Sequence, residues 1–510
     1  MSLVEIYDAY DVGTVRALEE RAFDTVGADA LMQRAAHALA LAVAREAVSL
    51  CGGVYGSTII ILVGPGNNGG DALFAGARLA RRGARVTAVR CLGTPHARGL
   101  AALRAAGGRL IDLDDLGLDP AARIQQRPAA DIVVDGVLGI GGRPGLPEPV
   151  ALLARACRDW LVTTIAVDLP SGVAADTGAV AGDAFAATRT VTFGVAKPCH
   201  LIEPARGRCG EIEVVDIGLD PAPSEDDRAG SGSGRWLRQV QTDQLAAYLP
   251  YPDAGSDKYA RGVVGIDTGS DTYPGAGVLS TYGAVHSGAG MVRYLGADVP
   301  RALIRERLPN VVFSPGRVQA HLVGSGWGDR PDGAAVLARL LGDGLPTVVD
   351  ADGLGHLPAR VPATWLLTPH AGELARLLGE DRSWVTEDPV RAVRAGVEKT
   401  GATVLLKGAT QLVCTPDQPW IDVALPGPAW TAQAGSGDVL AGICATLLAA
   451  GVRTPRAAAA AASLQAYAAH RNPGPVPPQR LAELMPAAIA RLQSRRTRQL
   501  DEIRRSEWTG

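Results

Sequence analysis

The chain has 510 residues, more than one hydrophobic core usually supports, so we expect two domains. Lys and Arg total 50 against 53 acidic residues, which excludes the overall basic field of a nucleic-acid-binding protein and leaves phosphate affinity to local sites. Scattered cysteines, a first segment unlike a signal peptide and the lack of any apolar run of about 18 residues predict a cytoplasmic protein with reduced thiols and no membrane partner.

In chain order, residues 5–48 have apolar positions at helical spacing and are predicted to be helical. Short β-branched runs then alternate with segments of helical periodicity, and these runs are 57–64, 84–92, 131–139, 163–170 and 189–195. Alternation of this kind is typical of a parallel sheet covered by helices on both faces. We therefore predict an α/β fold with three layers for residues 1–220.

Residues 221–234 are rich in Pro, Gly, Ser and charge, so they are predicted to be a linker. The alternation then restarts, with strand-like runs at 263–269, 321–326, 347–353, 364–370 and 403–408. Helices are expected from near Gly437 and over 455–470. A second three-layer α/β domain is therefore predicted for residues 235–490, followed by an Arg-rich tail, 491–510, expected to be a solvated helix or a frayed end.

The first chemical pattern is GPGNNGGD, Gly64 to Asp71, which stands between a strand and a helix. Its glycines allow backbone N–H groups to approach a ligand, and a helix N-terminus favours phosphate. The amides of Asn67 and Asn68 add donors and acceptors. An ordinary strand-to-helix turn is the alternative interpretation.

Three further polar residues follow strand-like runs, namely Asp135, Asp168 and Ser171. Strand ends of one parallel sheet converge, so these residues and Asn68 are expected to form one oxygen-rich pocket. Oxygen ligands suit a hard cation. For each aspartate alone, a turn or cap carboxylate is the alternative.

The segments GPGNNGGD, VDGVLGIG, VDLPSGVAADTG and TVTFGVAKP together resemble the YjeF N-terminal family of NAD(P)H-hydrate epimerases over nearly all of residues 1–220. The resemblance implies a Rossmann-like domain in which Asn68, Asp135 and Ser171 hold K⁺. It implies substrate contacts at Asn67, Asn68, Gly69, Gly70, Asp71, Gly139, Ile140, Gly141, Gly142, Arg143, Pro144, Gly145 and Asp168. The sequence departs from the family in having Ala72 for a usual glycine and Gly136 for a usual apolar or aromatic residue.

Epimerisation requires a hydroxyl to leave a carbon beside a ring nitrogen and to return from the opposite face. A desolvated Asp168 is our candidate acid and base for that exchange.

The second chemical pattern is AGSGDVLAG, residues 434–442, where small residues open a predicted helix and direct several N–H groups at one point. Asp438 within this anion hole is our candidate base, taking a proton from a hydroxyl during phosphoryl transfer. A simple helix-start charge is the alternative.

The segments KYARG, YPGAG, VGSGWG, VVDADGL, LLTPHAGEL and LLKGATQ precede it in this order, and together with it they resemble the ribokinase-like, ADP-dependent NAD(P)H-hydrate dehydratases over residues 240–490. The resemblance implies hydrate contacts at Ala276, Gly328, His370 and Asp438. It implies adenylate contacts at Lys407, Gly408, Ala409, Thr410, Gln411 and Gly437, with Mg²⁺ accompanying ADP. Alone, Lys407 is as easily a surface lysine and His370 a capping histidine. Ala434 and the segment LPGPAWTAQ depart from the family pattern.

Together the two halves predict an enzyme, expected to be a homo-oligomer, that epimerises NADH hydrate and NADPH hydrate and dehydrates one epimer with ADP. A ribokinase-like small-molecule kinase in the second half, and a non-catalytic binding scaffold in the first, remain the alternatives.

Overall fold

A computed structural model of the chain describes residues 8–116, 130–220 and 236–507, with side chains through Arg498. The chain divides into two compact units, residues 1–237 and 238–510, called here the N-terminal and C-terminal units. The expected linker, 221–234, lies outside the described residues. Among the described residues, no helix is long and apolar enough to cross a membrane.

The N-terminal unit alternates strands and helices after a helical start. Its strands are β1 (Asp8–Ala9), β2 (Thr58–Val63), β3 (Arg85–Arg90), β4 (Arg109–Asp112), β5 (Ile132–Gly136), β6 (Thr163–Val167), β7 (Arg189–Phe193) and β8 (Glu211–Val215). Its helices are α1 (Val12–Thr25), α2 (Ala28–Cys51), α3 (Asn67–Arg81), α4 (Ala97–Ala105) and α5 (Glu148–Asp159). The region predicted to be helical, residues 5–48, is helical from Val12 on in two helices, and Gly27, whose φ is +86°, separates α1 from α2.

Seven strands of this unit form a parallel sheet in the order β4-β3-β2-β5-β6-β7-β8. Successive residues of a strand point to opposite faces. Ile61 of β2 accordingly joins the core under α2 and α3, whereas Leu62 joins the core on the other face with residues of α5. The predicted arrangement of a sheet between two helical layers is confirmed for this unit.

The C-terminal unit repeats the architecture with a larger sheet. Its strands are β9 (Leu237–Gln239), β10 (Val263–Asp267), β11 (Met291–Tyr294), β12 (Ala320–Val323), β13 (Thr347–Val349), β14 (Trp365–Leu367), β15 (Thr403–Leu406), β16 (Leu412–Cys414) and β17 (Ile421–Val423). Its helices are α6 (Thr242–Tyr248), α7 (Pro274–His286), α8 (Asp298–Arg307), α9 (Gly333–Asp343), α10 (Ala371–Leu378), α11 (Arg382–Glu387), α12 (Pro389–Thr400), α13 (Ser436–Ala449), α14 (Thr454–His470), α15 (Pro478–Glu483) and α16 (Met485–Glu507).

The strands of this unit follow the order β9-β17-β16-β15-β14-β13-β12-β10-β11. The run from β11 to β15 is parallel, and β16 and β17 are antiparallel additions. Parallel strands end at one edge of their sheet, so the segments after β10, β12, β13, β14 and β15 meet there.

Helices α7 and α13 cross with their backbones in contact. A Cβ added at Gly283 of α7 would lie 2.2 Å from the Val439 carbonyl oxygen, and one added at Gly442 of α13 would lie 2.2 Å from the Ser280 carbonyl oxygen. Val439 to Ala449 of α13 are all buried. The helix that carries Asp438 is therefore fixed in the core of the unit.

Two candidate active sites

In the N-terminal unit, the glycines of GPGNNGGD allow two loops to touch. A Cβ at Gly64 would lie 1.9 Å from the Val137 carbonyl oxygen, so the segment after β2 lies directly on the segment after β5. A Cβ at Gly139 would lie 3.2 Å from Cβ of Asn68 at the start of α3. Asn68 therefore lies beside the predicted substrate loop, Gly139–Gly145.

The same loop reaches the segment that follows β6. The Leu138 N–H donates to Ser171 Oγ at 2.8 Å, and the Gly145 N–H donates to the Gly172 carbonyl at 2.8 Å. Ser171 Oγ donates to Asp135 Oδ1 at 2.6 Å. The structure thus brings Asn68, Asp135 and Ser171 to one place, as the convergence of strand ends predicts.

Asp135 is a fully buried carboxyl group, and burial raises its pKa to about 6. Its Oδ2 accepts the Ser171 N–H at 2.8 Å and its Oδ1 accepts the Val137 N–H at 3.3 Å. Within the described parts of the chain, no Lys, Arg or His forms a salt bridge with it. A buried carboxylate among neutral oxygens is a donor set that fits a hard cation, because the cation supplies the missing positive charge.

The two residues that depart from the YjeF N-terminal pattern, Ala72 and Gly136, lie against each other in the structure. A Cβ added at Gly136 would lie 2.7 Å from Cβ of Ala72, and both residues are buried. The extra methyl group of Ala72 thus takes the space that a side chain at position 136 would need. The exchange preserves the contact between α3 and β5.

Asp168 follows β6 and is paired with Lys197, a residue that the sequence did not indicate as part of the site. Lys197 Nζ lies 2.5 Å from Asp168 Oδ1, and Thr192 Oγ1 donates to the same oxygen at 2.9 Å. Burial alone would raise the pKa of Asp168, but the adjacent Lys197 ammonium lowers it below its ordinary value. Asp168 is buried as predicted, yet its surroundings favour the carboxylate.

Asp71 is a buried carboxyl group of α3 that forms no salt bridge in the part of the chain that the structure describes. Its Oδ1 has no hydrogen-bond partner among the described residues, and burial raises its pKa well above the usual range, assisted by the charges of Asp168 and Glu19. Asn68 Nδ2 is likewise buried without a partner. Unsatisfied buried polar atoms cost stability, so those that persist in a pocket are candidates for ligand contacts.

Helix α1 also contributes to this pocket, and the sequence analysis missed it. Burial raises the pKa of Glu19, and the neighbouring Lys197 opposes that rise. A guanidinium nitrogen of Arg16 lies 3.7 Å from the position of a Cβ on Gly141 in the predicted substrate loop. The helical spacing of residues 5–48 indicated an apolar face, but it did not indicate that two charged residues of α1 face the pocket.

In the C-terminal unit, Asp350 connects four strand ends. Asp350 follows β13 and is 2% exposed. Its carboxylate accepts from Ser325 Oγ at 2.9 Å after β12, from Thr368 Oγ1 at 2.8 Å after β14, and from Lys407 Nζ at 2.6 Å after β15. VVDADGL contained this aspartate, but the sequence did not show that it pairs with Lys407.

Asp438 is the third residue of α13 and lies against that cluster. Burial raises its pKa to about 7, and the negative charge of Asp350 adds to the rise, whereas Lys407 and Ser325 oppose it. A carboxyl group with a pKa near neutrality can exchange a proton efficiently with a substrate hydroxyl. The predicted base therefore has suitable electrostatics.

Lys407 lies next to the first turn of the same helix. A Cβ on Gly437 would lie 3.2 Å from Lys407 Nζ. Burial would lower the pKa of Lys407, but Asp350 and Glu373 raise it overall, so the residue is a cation. The side chain of Ser436, which opens α13, has a buried hydroxyl without a partner among the described residues. A cation, helix N–H groups and a free hydroxyl together suit a phosphate.

The other predicted nucleotide contacts, Gly408 to Gln411, form the turn between β15 and β16, directly after Lys407. The divergent segment LPGPAWTAQ lies before α13 and leaves Trp430 57% exposed, while Gln433 Nε2 donates to the Val476 carbonyl at 2.5 Å. Ala434 is exposed.

The predicted hydrate contacts lie around the loop after β12. A Cβ on Gly326 would lie 2.6 Å from Cβ of Ala276, and one on Gly328 would lie 3.3 Å from the Tyr273 ring. Ser325, which bonds Asp350, begins this loop, so Ala276 and Gly328 are near the carboxylate cluster.

His370 has a clear local role. Its Nδ1 accepts the N–H groups of Gly372 and Glu373 at the start of α10, and its side chain is 56% exposed. Glu373 in turn accepts the His370 N–H at 2.7 Å and lies 3.9 Å from Lys407 Nζ. His370 is therefore a helix cap, and Glu373, which sequence reasoning omitted, joins the cluster.

Comparison with known proteins gives the family. A model described as YjeF-related protein N-terminus matches residues 28–199, and one described as NAD(P)H-hydrate dehydratase matches residues 264–486. The bifunctional NAD(P)H-hydrate repair enzyme Nnr of Mycobacterium tuberculosis is 41% identical over 464 residues, which cover 88% of this chain and 91% of the relative. The chain belongs to the family of bifunctional NAD(P)H-hydrate repair enzymes.

A second bifunctional NAD(P)H-hydrate repair enzyme covers a similar share of the chain. That of Mycobacterium leprae is 40% identical over 490 residues, 92% of this chain and 96% of its own length. Among solved structures, the ADP/ATP-dependent NAD(P)H-hydrate dehydratase from Bacillus subtilis, co-crystallized with ATP/Mg²⁺, is 22% identical, with a TM-score of 0.45 over 49% of this chain and 97% of that one. The resemblance inferred from the motifs of both halves is confirmed by the family membership.

Proposed function

We propose that the chain repairs hydrated nicotinamide cofactors. The N-terminal unit interconverts the R and S epimers of NADH hydrate and NADPH hydrate, and the C-terminal unit dehydrates the S epimer with ADP, releasing AMP and phosphate. The observation that carries the proposal is the position of Asp438, partly buried beside Lys407 and Asp350 at the start of α13, in a chain whose family is that of the repair enzymes.

In the C-terminal unit, Asp438 takes the proton of the hydrate hydroxyl, and the oxygen attacks the terminal phosphorus of ADP. AMP departs, and Lys407 with the N–H groups of α13 stabilises the charge on the transferred phosphoryl group. The electron pair of the ring nitrogen then expels phosphate, a far better leaving group than hydroxide. Loss of a proton from the neighbouring carbon completes the reduced nicotinamide.

Magnesium fits this site as a counter-cation. The carboxyl groups of Asp350, Glu373 and Asp438 all act on the ammonium of Lys407, so an anionic nucleotide needs added positive charge to enter. Mg²⁺ accompanying the nucleotide would supply that charge. We assign it no ligand from the protein.

In the N-terminal unit, the hydroxyl leaves as water, the ring becomes a cation, and water returns to the opposite face. Asp168 and Asp71 are the carboxyl groups proposed to stabilise the positive charge of the ring and to transfer the proton in this exchange. Asn68, Asp135 and Ser171 would hold K⁺, which would supply the positive charge that buried Asp135 lacks.

We also propose that the enzyme works in the cytoplasm as a homo-oligomer. The free cysteines, most of them buried, support a reducing compartment. Light scattering coupled to size exclusion tests the assembly.

The decisive experiment incubates the protein with a mixture of R and S NADH hydrates, with and without ADP, and follows both epimers and the nucleotide by chromatography. The proposal expects S hydrate to disappear only with ADP, with AMP and NADH formed in equal amounts. R hydrate should then also disappear, because it is converted to S hydrate. A stable phosphoester instead of NADH would indicate a small-molecule kinase. Persistence of R hydrate would indicate that the N-terminal unit is a scaffold.

Asp168→Asn is the variant that tests the epimerisation separately from the dehydration. It should abolish conversion of pure R hydrate while S hydrate is still dehydrated, because the substitution lies in the other unit. Unchanged conversion of R hydrate would contradict the role of Asp168.

A further inference from the structure

Lys197 is an internal cation, and the inference drawn from it rests on the epimerase function proposed above. The residue is 1% exposed, a position that a lysine occupies only when its charge is paired. Its Nζ donates to Asp168 Oδ1 at 2.5 Å, to Thr192 Oγ1 at 2.9 Å and to the Phe193 carbonyl at 3.3 Å. An ammonium has three protons, so each is already engaged.

Asp168 is fixed by the same cluster through its side chain and its backbone. Oδ1 accepts from both Lys197 and Thr192. The backbone has a φ of +67°, uncommon for a residue with a Cβ, and its carbonyl accepts from His200 Nε2 at 2.9 Å. Across the described residues, Oδ2 accepts no hydrogen bond, so this oxygen is the one available to a ligand.

Opposing charges act on this carboxyl group. The titratable groups that interact with it are Glu19 of α1, Asp71 of α3, and Lys197, Cys199 and His200 after β7, while Arg16 of α1 interacts with Glu19. His200 is neutral, because burial and the Lys197 charge lower its pKa to about 3. Burial would raise the pKa of Asp168, but the Lys197 ammonium has the larger effect. The pKa of Asp168 is therefore below its ordinary value.

We propose that Lys197 is a positioning residue for epimerisation, which holds Asp168 as a carboxylate with Oδ2 free for the substrate. Asp168 then stabilises the cationic ring that forms as the hydroxyl departs, and it does not supply the proton for that departure. A fixed negative charge in a buried pocket stabilises a developing cation because it needs no reorganisation during the reaction.

The departing hydroxyl needs a proton from another acid, and Asp71 fits that role. It is 9% exposed, its Oδ1 has no hydrogen-bond partner within the described parts of the chain, and its raised pKa favours the protonated form. The Asp71 carboxyl gives its proton to the hydroxyl, water leaves, and the electron pair of the ring nitrogen forms a C=N bond. Water adds to the other face of that carbon, and the proton it releases restores the Asp71 carboxyl, so atoms and charges balance.

Lys197→Met in the full chain tests the proposal through the pH profile of R-hydrate epimerisation, corrected for the uncatalysed rate. The rate should fall, and the acidic limb should move up by about one to three pH units, because Asp168 loses the cation that keeps it ionised. Lys197→Arg, which restores a cation beside Asp168, should return the acidic limb toward its wild-type pH. Asp71→Asn should slow the reaction without moving the limb.

Arg189→Met is the matched control. It removes a cation from the other end of β7, where Arg189 pairs with Glu46 at 3.1 Å, and should leave both rate and limb in place. If Lys197→Met lowers the rate but the limb does not move, Lys197 is only structural and the proposal is overturned.

A spectroscopic measurement on the wild type covers the case in which Lys197→Met does not fold. In protein labelled with ¹³C at the aspartate carboxyl groups, the Asp168 signal, assigned with Asp168→Asn, should stay that of a carboxylate at mildly acidic pH. A protonated Asp168 there would overturn the proposal. Wild-type protein without any epimerase activity would refute the proposed function instead, and the carboxylate signal keeps the two failures apart.

Discussion

Lys407 Nζ lies 2.6 Å from Asp350 Oδ1, and the Asp438 carboxyl group is close enough to experience both charges. The pair joins the ends of β13 and β15 beside the first turn of α13. Asp350 therefore acts on the catalytic candidate in two ways, through its own negative charge and by partly neutralising Lys407.

Asp350→Asn should move the acidic limb of ADP-dependent dehydration to lower pH by about one unit. Asp438 has a pKa of about 7, raised first by burial and then by Asp350. Removing that negative charge and exposing Asp438 to an unneutralised Lys407 both favour the carboxylate, so the base is active at lower pH. The measurement is kcat/KM for S hydrate against pH.

Asp332→Asn is the control for that shift, since it removes an equal charge where Asp332 pairs with Arg330 at 2.8 Å. If the acidic limb lies at the same pH in Asp350→Asn, Asp332→Asn and the wild type, the charge of Asp350 does not affect the pKa of Asp438.

Asp438→Ala should reduce dehydration by about 10²- to 10⁴-fold, the usual contribution of a positioned general base. Asp438→Asn, which keeps the shape of the side chain, should lose as much. Recovery of the reduced-nicotinamide absorbance after addition of ADP provides the assay, R-to-S conversion in the same sample shows that the N-terminal unit is intact, and circular dichroism compared with the wild type checks that the C-terminal unit is folded. Retained recovery in either variant would remove Asp438 from the mechanism.

Potassium should stabilise the N-terminal unit. At a concentration about 100 times its Kd, a cation bound only to the folded state raises the free energy of unfolding by about 2.7 kcal/mol. The check is calorimetry in potassium chloride and in tetramethylammonium chloride at equal ionic strength. Asp135→Asn should abolish the difference, because the buried carboxylate is then gone. Equal transitions in both salts for the wild type would exclude the cation site.

Gly136 and Ala72 should behave as a coupled pair. Gly136→Ala alone places a Cβ 2.7 Å from that of Ala72 and should cost about 1–3 kcal/mol, the usual penalty for overpacking. Adding Ala72→Gly should recover most of that loss, and denaturant unfolding of the four proteins measures the coupling. Additive effects would show that the two positions do not share the space.

The central strands and both glycine-rich turns were predictable, because apolar runs of β-branched residues ending in polar residues are local patterns. The edge strands β4 and β8 were missed, since their sequences, RLID and EIEVV, include charged residues that only an edge can expose. Strand-end reasoning found Asp135 and Asp168, and the small residues at the start of α13 indicated Asp438.

The partners of those residues were harder to predict. Asp350 and Lys197 each stand in a recognisable segment, but a sequence does not reveal which opposite charge a neighbouring strand brings. Lys197 is buried only because β7 lies beside β6 and places Thr192 and Asp168 around its ammonium. The exchange between Gly136 and Ala72 is likewise visible only as a contact in three dimensions.

The crossing of α7 and α13 has a consequence for how this half of the molecule could change its chemistry. Gly283 and Gly442 bring main chain against main chain, so the separation between the helix of Ala276 and the helix of Asp438 is set by the peptide backbone alone. At these two positions there is no side chain to shorten, and any side chain added would collide with the main chain of the other helix. Adaptation to a bulkier or smaller acceptor would have to come from changes in the surrounding loops. The distance between the helix that contacts the acceptor and the helix that carries Asp438 would stay the same.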